Sequence, residues 1–342
     1  MTKEFYTSVS VYGDNILYRG YRGGHSYKIK VPYKPKFYIE SKTGKQDFKT
    51  LYGKEVSALE FEGIRDAKNF MKEYKDIDVD IYGMPNYVCQ FLQEAYPYEA
   101  QADFDVVRIC SIDIETTAYD GFPNTTTTED AITAIGLHMS NTKVMHVWTT
   151  AVYDVSKYKY TEHKLDYRFF SNEKDMLRDY INWWKDPINT PDVMTGWNIR
   201  GFDIPYIVNR LYRVLGGSDE YITNKLSPWN KSVQETTFTV KGRKNDTYTI
   251  PGIEVIDYMD LFMKFGVLTY GPQESYSLDN IAKVVLGTTK EKYSGTSNVS
   301  ELLYTTKNIH IPNETDLETC DDLQKSVYMR DKIQKEILRR AS

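Results

Sequence analysis

Asp113 and Glu115 lie two residues apart in the run Val106-Val107-Arg108-Ile109-Cys110-Ser111-Ile112-Asp113-Ile114-Glu115, an apolar segment of the kind that forms a strand at the centre of a sheet. Spacing of two on a strand points both carboxylates to one face, where they can hold a shared cation. Two acids in a segment expected to be buried would be costly without a partner, so a metal ion or an equivalent partner is expected beside them. A third acid, Asp203, falls in Thr195-Gly196-Trp197-Asn198-Ile199-Arg200-Gly201-Phe202-Asp203-Ile204-Pro205-Tyr206. It precedes a helix that runs from about Pro205 to Leu215 and stops at Gly216-Gly217, a good carboxy-terminal signal. Carboxylate oxygens suit hard divalent cations better than histidine or thiolate does.

The elements that must position these acids can be read from periodicity. The first hundred residues alternate in the β manner: Phe5 to Tyr12, a turn at Gly13-Asp14-Asn15, Ile16 to Tyr18, Tyr27 to Val31 and Lys36 to Glu40. Together they predict a hairpin followed by further strands. Arg65 to Tyr74 has helical spacing, and this smaller mixed domain ends near residue 107. After it come strand candidates at Ile132 to His138 and Lys143 to Trp148, a helix from about Glu173 to Trp184 ahead of Pro187, and a short strand at Val193 to Asn198. Strands Thr236 to Val240 and Thr247 to Ile250 flank Gly242-Arg243-Lys244-Asn245-Asp246, which reads as a long basic hairpin tip able to reach into nucleic acid. A helical pattern returns from Lys325 to Arg340. The expected fold class is α/β, divided into residues 1–107 and 108–342.

Composition excludes few classes. The 342 residues are 41% hydrophobic and 27% charged, as in a globular protein rather than a disordered one. No apolar run approaches a bilayer span, and Met1-Thr2-Lys3-Glu4-Phe5 lacks a secretory h-region, so a cytoplasmic location without membrane attachment is expected. The net charge of −5 argues against a uniformly basic coat but suits a site built of carboxylates that recruits cations. Cys89, Cys110 and Cys320 are far apart and lack CxxC spacing, and His25, His138, His146, His163 and His310 have no metal spacing among them. The 29 tyrosines can fill cores and sheet faces or stack on unpaired bases.

The pattern Asn198-x-x-x-Phe202-Asp203 resembles the second exonuclease motif of family B DNA polymerases, and Ile112-Asp113-Ile114-Glu115-Thr116 resembles the first. The likeness is closest to the T-even bacteriophage type, through Asp120-Gly121-Phe122-Pro123, Ile256-Asp257-Tyr258-Met259-Asp260-Leu261 and Ser275-Tyr276-Ser277-Leu278-Asp279. It implies an RNase H-like exonuclease domain with a mixed sheet, preceded by a smaller β-rich α+β amino-terminal domain. It further implies two divalent ions, Mg²⁺ or Mn²⁺, held by four acids at the 3′ end of a DNA strand. Such a pair can activate water on one side of a phosphate and stabilise the leaving oxygen on the other.

By that resemblance Asp113, Glu115 and Asp203 are catalytic metal ligands, Asn198 and Phe202 support the site, and Phe122 contacts the terminal base. The family's fourth acid opens a helix in a Y-x-x-x-D pattern. Here Val327-Tyr328-Met329-Arg330-Asp331 supplies Asp331, whereas Val327 holds the tyrosine's place and Tyr328 stands one residue away, about 100° around a helix. Arg243 and Lys244 match in position a hairpin that parts primer from template. Phe122, Asn198, Phe202, Arg243, Lys244 and Tyr328 are thus the expected nucleic-acid contacts. The family's polymerase motifs are absent from the chain, and its stop at Arg339-Arg340-Ala341-Ser342 fits either a separate polymerase-half chain or a shortened protein. The partners implied are DNA, as a single-stranded 3′ end of a primer-template, that polymerase half, and RNA. The alternative is a catalytically degenerate module that binds nucleic acid or docks a polymerase.

Overall fold

A computed structural model describes residues 4–40, 48–75, 77, 79–118, 121–152, 155–158, 162–240 and 242–288, with backbone alone at 157 and 243. Strands β1 (Glu4–Tyr12), β2 (Asn15–Arg22) and β3 (His25–Pro32) form an antiparallel meander. The β1–β2 turn closes with Tyr12 opposite Asn15, which is possible because Gly13 takes a φ of 61°. A second sheet contains β4 (Lys36–Glu40), β5 (Phe48–Lys49), β6 (Glu55–Glu60) and β7 (Ile81–Tyr82), in the order β5-β6-β4-β7. Helices α1 (Ile64–Glu73) and α2 (Tyr87–Ala95) accompany it. Ile16, Tyr18, Tyr33, Phe37, Ile64, Ala67 and Tyr87 make one core of their own.

Beyond residue 107 the chain builds a six-stranded mixed sheet from β8 (Ile109–Thr116), β9 (Ile132–Met139), β10 (Val144–Thr149), β11 (Lys164–Phe169), β12 (Val193–Gly196) and β15 (Glu254–Asp257). Its order is β11-β10-β9-β8-β12-β15. Pairing is antiparallel across β8–β9 and β9–β10 and parallel across β10–β11, β8–β12 and β12–β15. Helices α3 (Glu173–Trp184) and α4 (Asp203–Leu215) pack against it, joining Cys110, Ile112 and Ile114 of β8 to Leu177, Trp184, Ile207 and Leu211 in a second core. The expected α/β class and mixed sheet are present, with a β-rich region ahead of them. A hairpin of β13 (Gln234–Val240) and β14 (Arg243–Thr249) precedes β15, and short helices α5 (Tyr258–Leu261), α6 (Val267–Tyr270) and α7 (Leu278–Leu286) follow it. Among the described residues no helix is long and apolar enough to cross a membrane.

Two expectations are corrected here. Strand β8 is not buried on both faces: Cys110, Ile112 and Ile114 are buried, while Ser111, Asp113 and Glu115 between them are exposed. Strict alternation is how a strand serves a core on one side only, and helices cover β8 on that side. The basic hairpin is also tighter than expected. Val240 pairs with Arg243 and Thr239 with Lys244, so both basic residues belong to β14 rather than to a five-residue tip, because Gly242 at φ 79° closes the turn.

A buried carboxylate is among the ties between the first meander and the residues around the six-stranded sheet. Asp192, fully buried, pairs with the Arg19 guanidinium of β2 at 2.9 Å and accepts hydrogen bonds from the Tyr21 hydroxyl at 2.6 Å and the Arg108 backbone N–H at 2.9 Å. Arg19 also donates to the carbonyls of Pro191, Gly252 and Thr190.

Candidate active site

Asp113 and Glu115 project from the uncovered face of β8. Their partners across the β8–β9 ladder are Gly136 and Ala134, and both acids are exposed. On the other edge, the pairing of β8 with β12 extends only from Ile109 to Ser111. Past that point the turn from β12 into α4 takes the neighbouring strand's place, and the Ile114 N–H donates to Asp203 Oδ1 at 3.0 Å. Asp203, first residue of α4, thus occupies the gap in the sheet beside the strand acids.

The local sequence explains how the turn fits. A Cβ on Gly196 would stand 2.5 Å from Ile199 Cγ2 and 2.6 Å from the Ile112 carbonyl oxygen, so only glycine lets the turn lie this close to β8. Asn198 adopts a left-handed φ of 62°, a conformation that asparagine tolerates better than most residues. Its carbonyl accepts the Gly201 and Phe202 N–H groups, each at 3.0 Å. A Cβ on Gly201 would lie 2.5 Å from Asn198 Oδ1, so the carboxamide fills the space that this glycine leaves free. Ile199 is buried in the core and anchors the turn from below.

Asp203 is only 3% exposed, and its carboxyl pKa is pushed up to about 7. Burial is the main cause and the charge of Asp113 the second, with Asp257 adding to the rise; the Ile114 N–H, which favours the anion, offsets part of it. Two carboxylate charges thus add to the effect of burial on this group.

Phe122 is 82% exposed and its ring lies 5.1 Å from that of Phe202, which in turn lies 5.3 Å from the ring of buried Tyr206. The loop that carries Phe122 is tied to α4. Asn209 donates to the Thr125 carbonyl at 2.8 Å, Arg210 to those of Thr128 and Glu129, and Arg213 to that of Thr127. Arg210 also grips Glu173 of α3 with both ends of its guanidinium, at 2.7 and 2.6 Å. Sequence reasoning passed over these anchors, since their partners lie 37 or more positions away and follow no local pattern. Lys244 is exposed on β14, and the hairpin is held to α4 by the Tyr248 hydroxyl, which donates to Asn209 Oδ1 at 2.7 Å.

The structure thus brings Asp113, Glu115, Asp203, Asn198, Phe202 and Phe122 to one end of the sheet. Tyr328, Asp331 and Cys320, with His310, lie outside the described residues. Among the described residues no three His, Cys, Asp or Glu side chains are already gathered in a group that could hold a metal ion. The donor chemistry nevertheless fits hard cations: two acids share one open strand face, and a third, desolvated acid lies within reach of the charge of one of them. A divalent ion would relieve that mutual repulsion.

A family model for the exonuclease domain of DNA polymerase family B matches residues 85–281. The DNA-directed DNA polymerases of Escherichia phage RB69 and Enterobacteria phage T4 are each 32% identical over 317 residues, covering 86% of this chain and 34% of theirs. The DNA polymerase delta catalytic subunit of Schizosaccharomyces pombe is 30% identical over 125 residues, 36% of this chain and 11% of that protein. The chain therefore spans about a third of the length of the phage relatives it matches.

Proposed function

Because this chain belongs to the exonuclease-domain family of the family B DNA polymerases, we propose that it removes nucleotides from the 3′ end of a DNA strand by hydrolysing the terminal phosphodiester bond. The observation that carries this reading is the placement of three acids about the point where β8 loses its neighbour: Asp113 and Glu115 on the exposed face, and Asp203 desolvated within reach of the charge of Asp113. Divalent cations, Mg²⁺ or Mn²⁺, held by these acids would supply activation of water and stabilisation of the leaving oxygen. Asp331 is proposed as a fourth ligand and Tyr328 as a nucleic-acid contact.

The remaining side chains act on the strand itself. Phe122, presented on Phe202, offers an aromatic face to the terminal base, and base stacking of this kind tolerates any sequence. Lys244 and Arg243 of β14 are assigned to the phosphate backbone, where cations add affinity that falls with salt. A mispaired end frays at less cost than a paired one, so a site that accepts single strands selects mismatches without reading bases. In this reading residues 1–107 form an amino-terminal unit and 108–342 the exonuclease unit. The protein works in the cytoplasm on a primer-template beside a separate polymerase half, with RNA as a further ligand of the amino-terminal unit.

The test is incubation of the protein with a 5′-labelled single strand, with and without Mg²⁺, beside Asp113→Ala. Stepwise shortening that requires both the metal and Asp113 is expected. A protein that binds the strand but shortens it under no metal, even with a polymerase half added, is instead a degenerate binding module.

A further inference from the structure

Asp257 ends β15 at the side of the sheet where the turn into α4 lies, and it is 4% exposed. Its Oδ1 accepts the N–H groups of Asn198 and Met259, each at 2.9 Å, and its Oδ2 accepts the N–H of Arg200 at 3.0 Å. Two of these three donors belong to the turn that delivers Asp203 to α4. The third starts α5, so one carboxylate ties the turn to the strand beyond β12.

We propose that Asp257 is a positioning residue of the exonuclease site: it fixes the turn of Asn198 to Phe202, and through it the direction in which Asp203 faces Asp113 and Glu115. The proposal rests on the exonuclease reading above. Backbone N–H groups already engage both of its oxygens, two on Oδ1 and one on Oδ2, which marks it as an acceptor of the fold rather than as a further ligand. A charged acceptor makes stronger bonds than a neutral cap would, and strength is needed here. The turn contains a residue at positive φ, and its path is constrained on one side by the close approach of Gly196 to β8. A second tether acts in the same direction: the Arg200 guanidinium donates to Asp260 at 2.8 Å and lies 4.3 Å over the Phe238 ring of β13. Misplacement of a reacting group by about 1 Å can cost on the order of a hundredfold in rate, so slack in this turn should appear in catalysis.

The test compares Asp257→Asn and Asp257→Ala with wild type, and uses Asp192→Asn, an equally buried carboxylate away from the turn, as control. Asparagine retains one acceptor oxygen but presents an amide nitrogen in place of the other, so even this mild variant loses part of the clamp. If alanine prevents folding, asparagine carries the test. Amide hydrogen exchange of the metal-free proteins should show lost protection at the turn amides Asn198 and Arg200, with β9 and α3 unchanged. On a 5′-labelled single strand, kcat should fall about 10- to 100-fold while KM stays within about twofold, and Asp192→Asn should leave kcat per folded molecule unchanged. Wild-type kcat together with protected turn amides in Asp257→Asn would overturn the proposal, as would a rise in KM alone. A wild-type protein that shortens no strand overturns the exonuclease reading instead, and the exchange measurement then decides the positioning by itself.

Discussion

Asp192 and Asp203 are both buried acids, and the molecule treats them in opposite ways. At the junction of the two units, Asp192 is met by the guanidinium of Arg19, the backbone of Arg108 and the hydroxyl of Tyr21. In the candidate site, Asp203 accepts the Ile114 N–H on its Oδ1, and burial first, then the charges of Asp113 and Asp257, push its pKa up to about 7. Burying a charge without a partner is costly, so each site must resolve the same problem. The junction resolves it with protein cations. The candidate site instead holds Asp203 at a raised pKa beside Asp113, and that difference separates an acid that holds the fold from the one proposed to bind metal.

The largest expected effect tests the functional side of this contrast. Asp203→Asn keeps an oxygen for the Ile114 N–H but removes an anionic ligand, and it should slow metal-dependent shortening of a labelled strand by at least about a thousandfold, or about 4 kcal/mol of barrier. Full activity in this variant would break the comparison. The structural side is tested by Asp192→Ala, which leaves the Arg19 guanidinium buried with its charge unpaired. Stability measured by urea unfolding should fall by about 3–5 kcal/mol, with the amino-terminal sheet losing hydrogen-exchange protection first.

A change in pH sharpens the contrast further. The Asp203 pKa is raised in the folded state, so its contribution to stability is fully present below the ordinary carboxyl value near 3.8 and is lost as pH rises to about 7. In EDTA the wild type should therefore lose on the order of 4 kcal/mol from this group between pH 4 and pH 8. Asp203→Asn should escape that loss and be the more stable protein at pH 8. Identical pH profiles for the two would show that Asp203 ionises freely.

The functional side of this contrast was visible in the sequence, and the structural side was not. Spacing along a strand and the Asn198-x-x-x-Phe202-Asp203 pattern depend on neighbours in the chain, so the acids, the start of α4 near Asp203 and helix α3 could all be read in advance. Which face of β8 is covered depends on helices that arrive about 60 to 100 residues later, and the apolar composition of the run suggested burial on both faces. The hairpin was misjudged for a local reason, since a glycine at positive φ allows a turn shorter than its polar surroundings suggest. Asp192 belongs to no motif. Its partners Arg19 and Tyr21 lie 171 or more positions away, and nothing in residues 185–195 announces a junction.

The smallest expected effect concerns an exposed aromatic on the functional side. Phe122 is mostly solvent-exposed and rests on Phe202, an unfavourable place for an apolar ring unless something covers it. Asn209, Arg210 and Arg213 hold the loop through backbone carbonyls, so Phe122→Ala should leave the loop in place and change stability by no more than about 0.5 kcal/mol. The base that would stack on the ring loses about 1–3 kcal/mol, which should raise KM for a single strand by roughly 5- to 150-fold and leave kcat nearly unchanged. Phe122→Trp should restore KM, because stacking needs an aromatic face and not a particular residue. A stability loss without a change in KM would instead place Phe122 with Tyr21 among the aromatic residues that serve the fold.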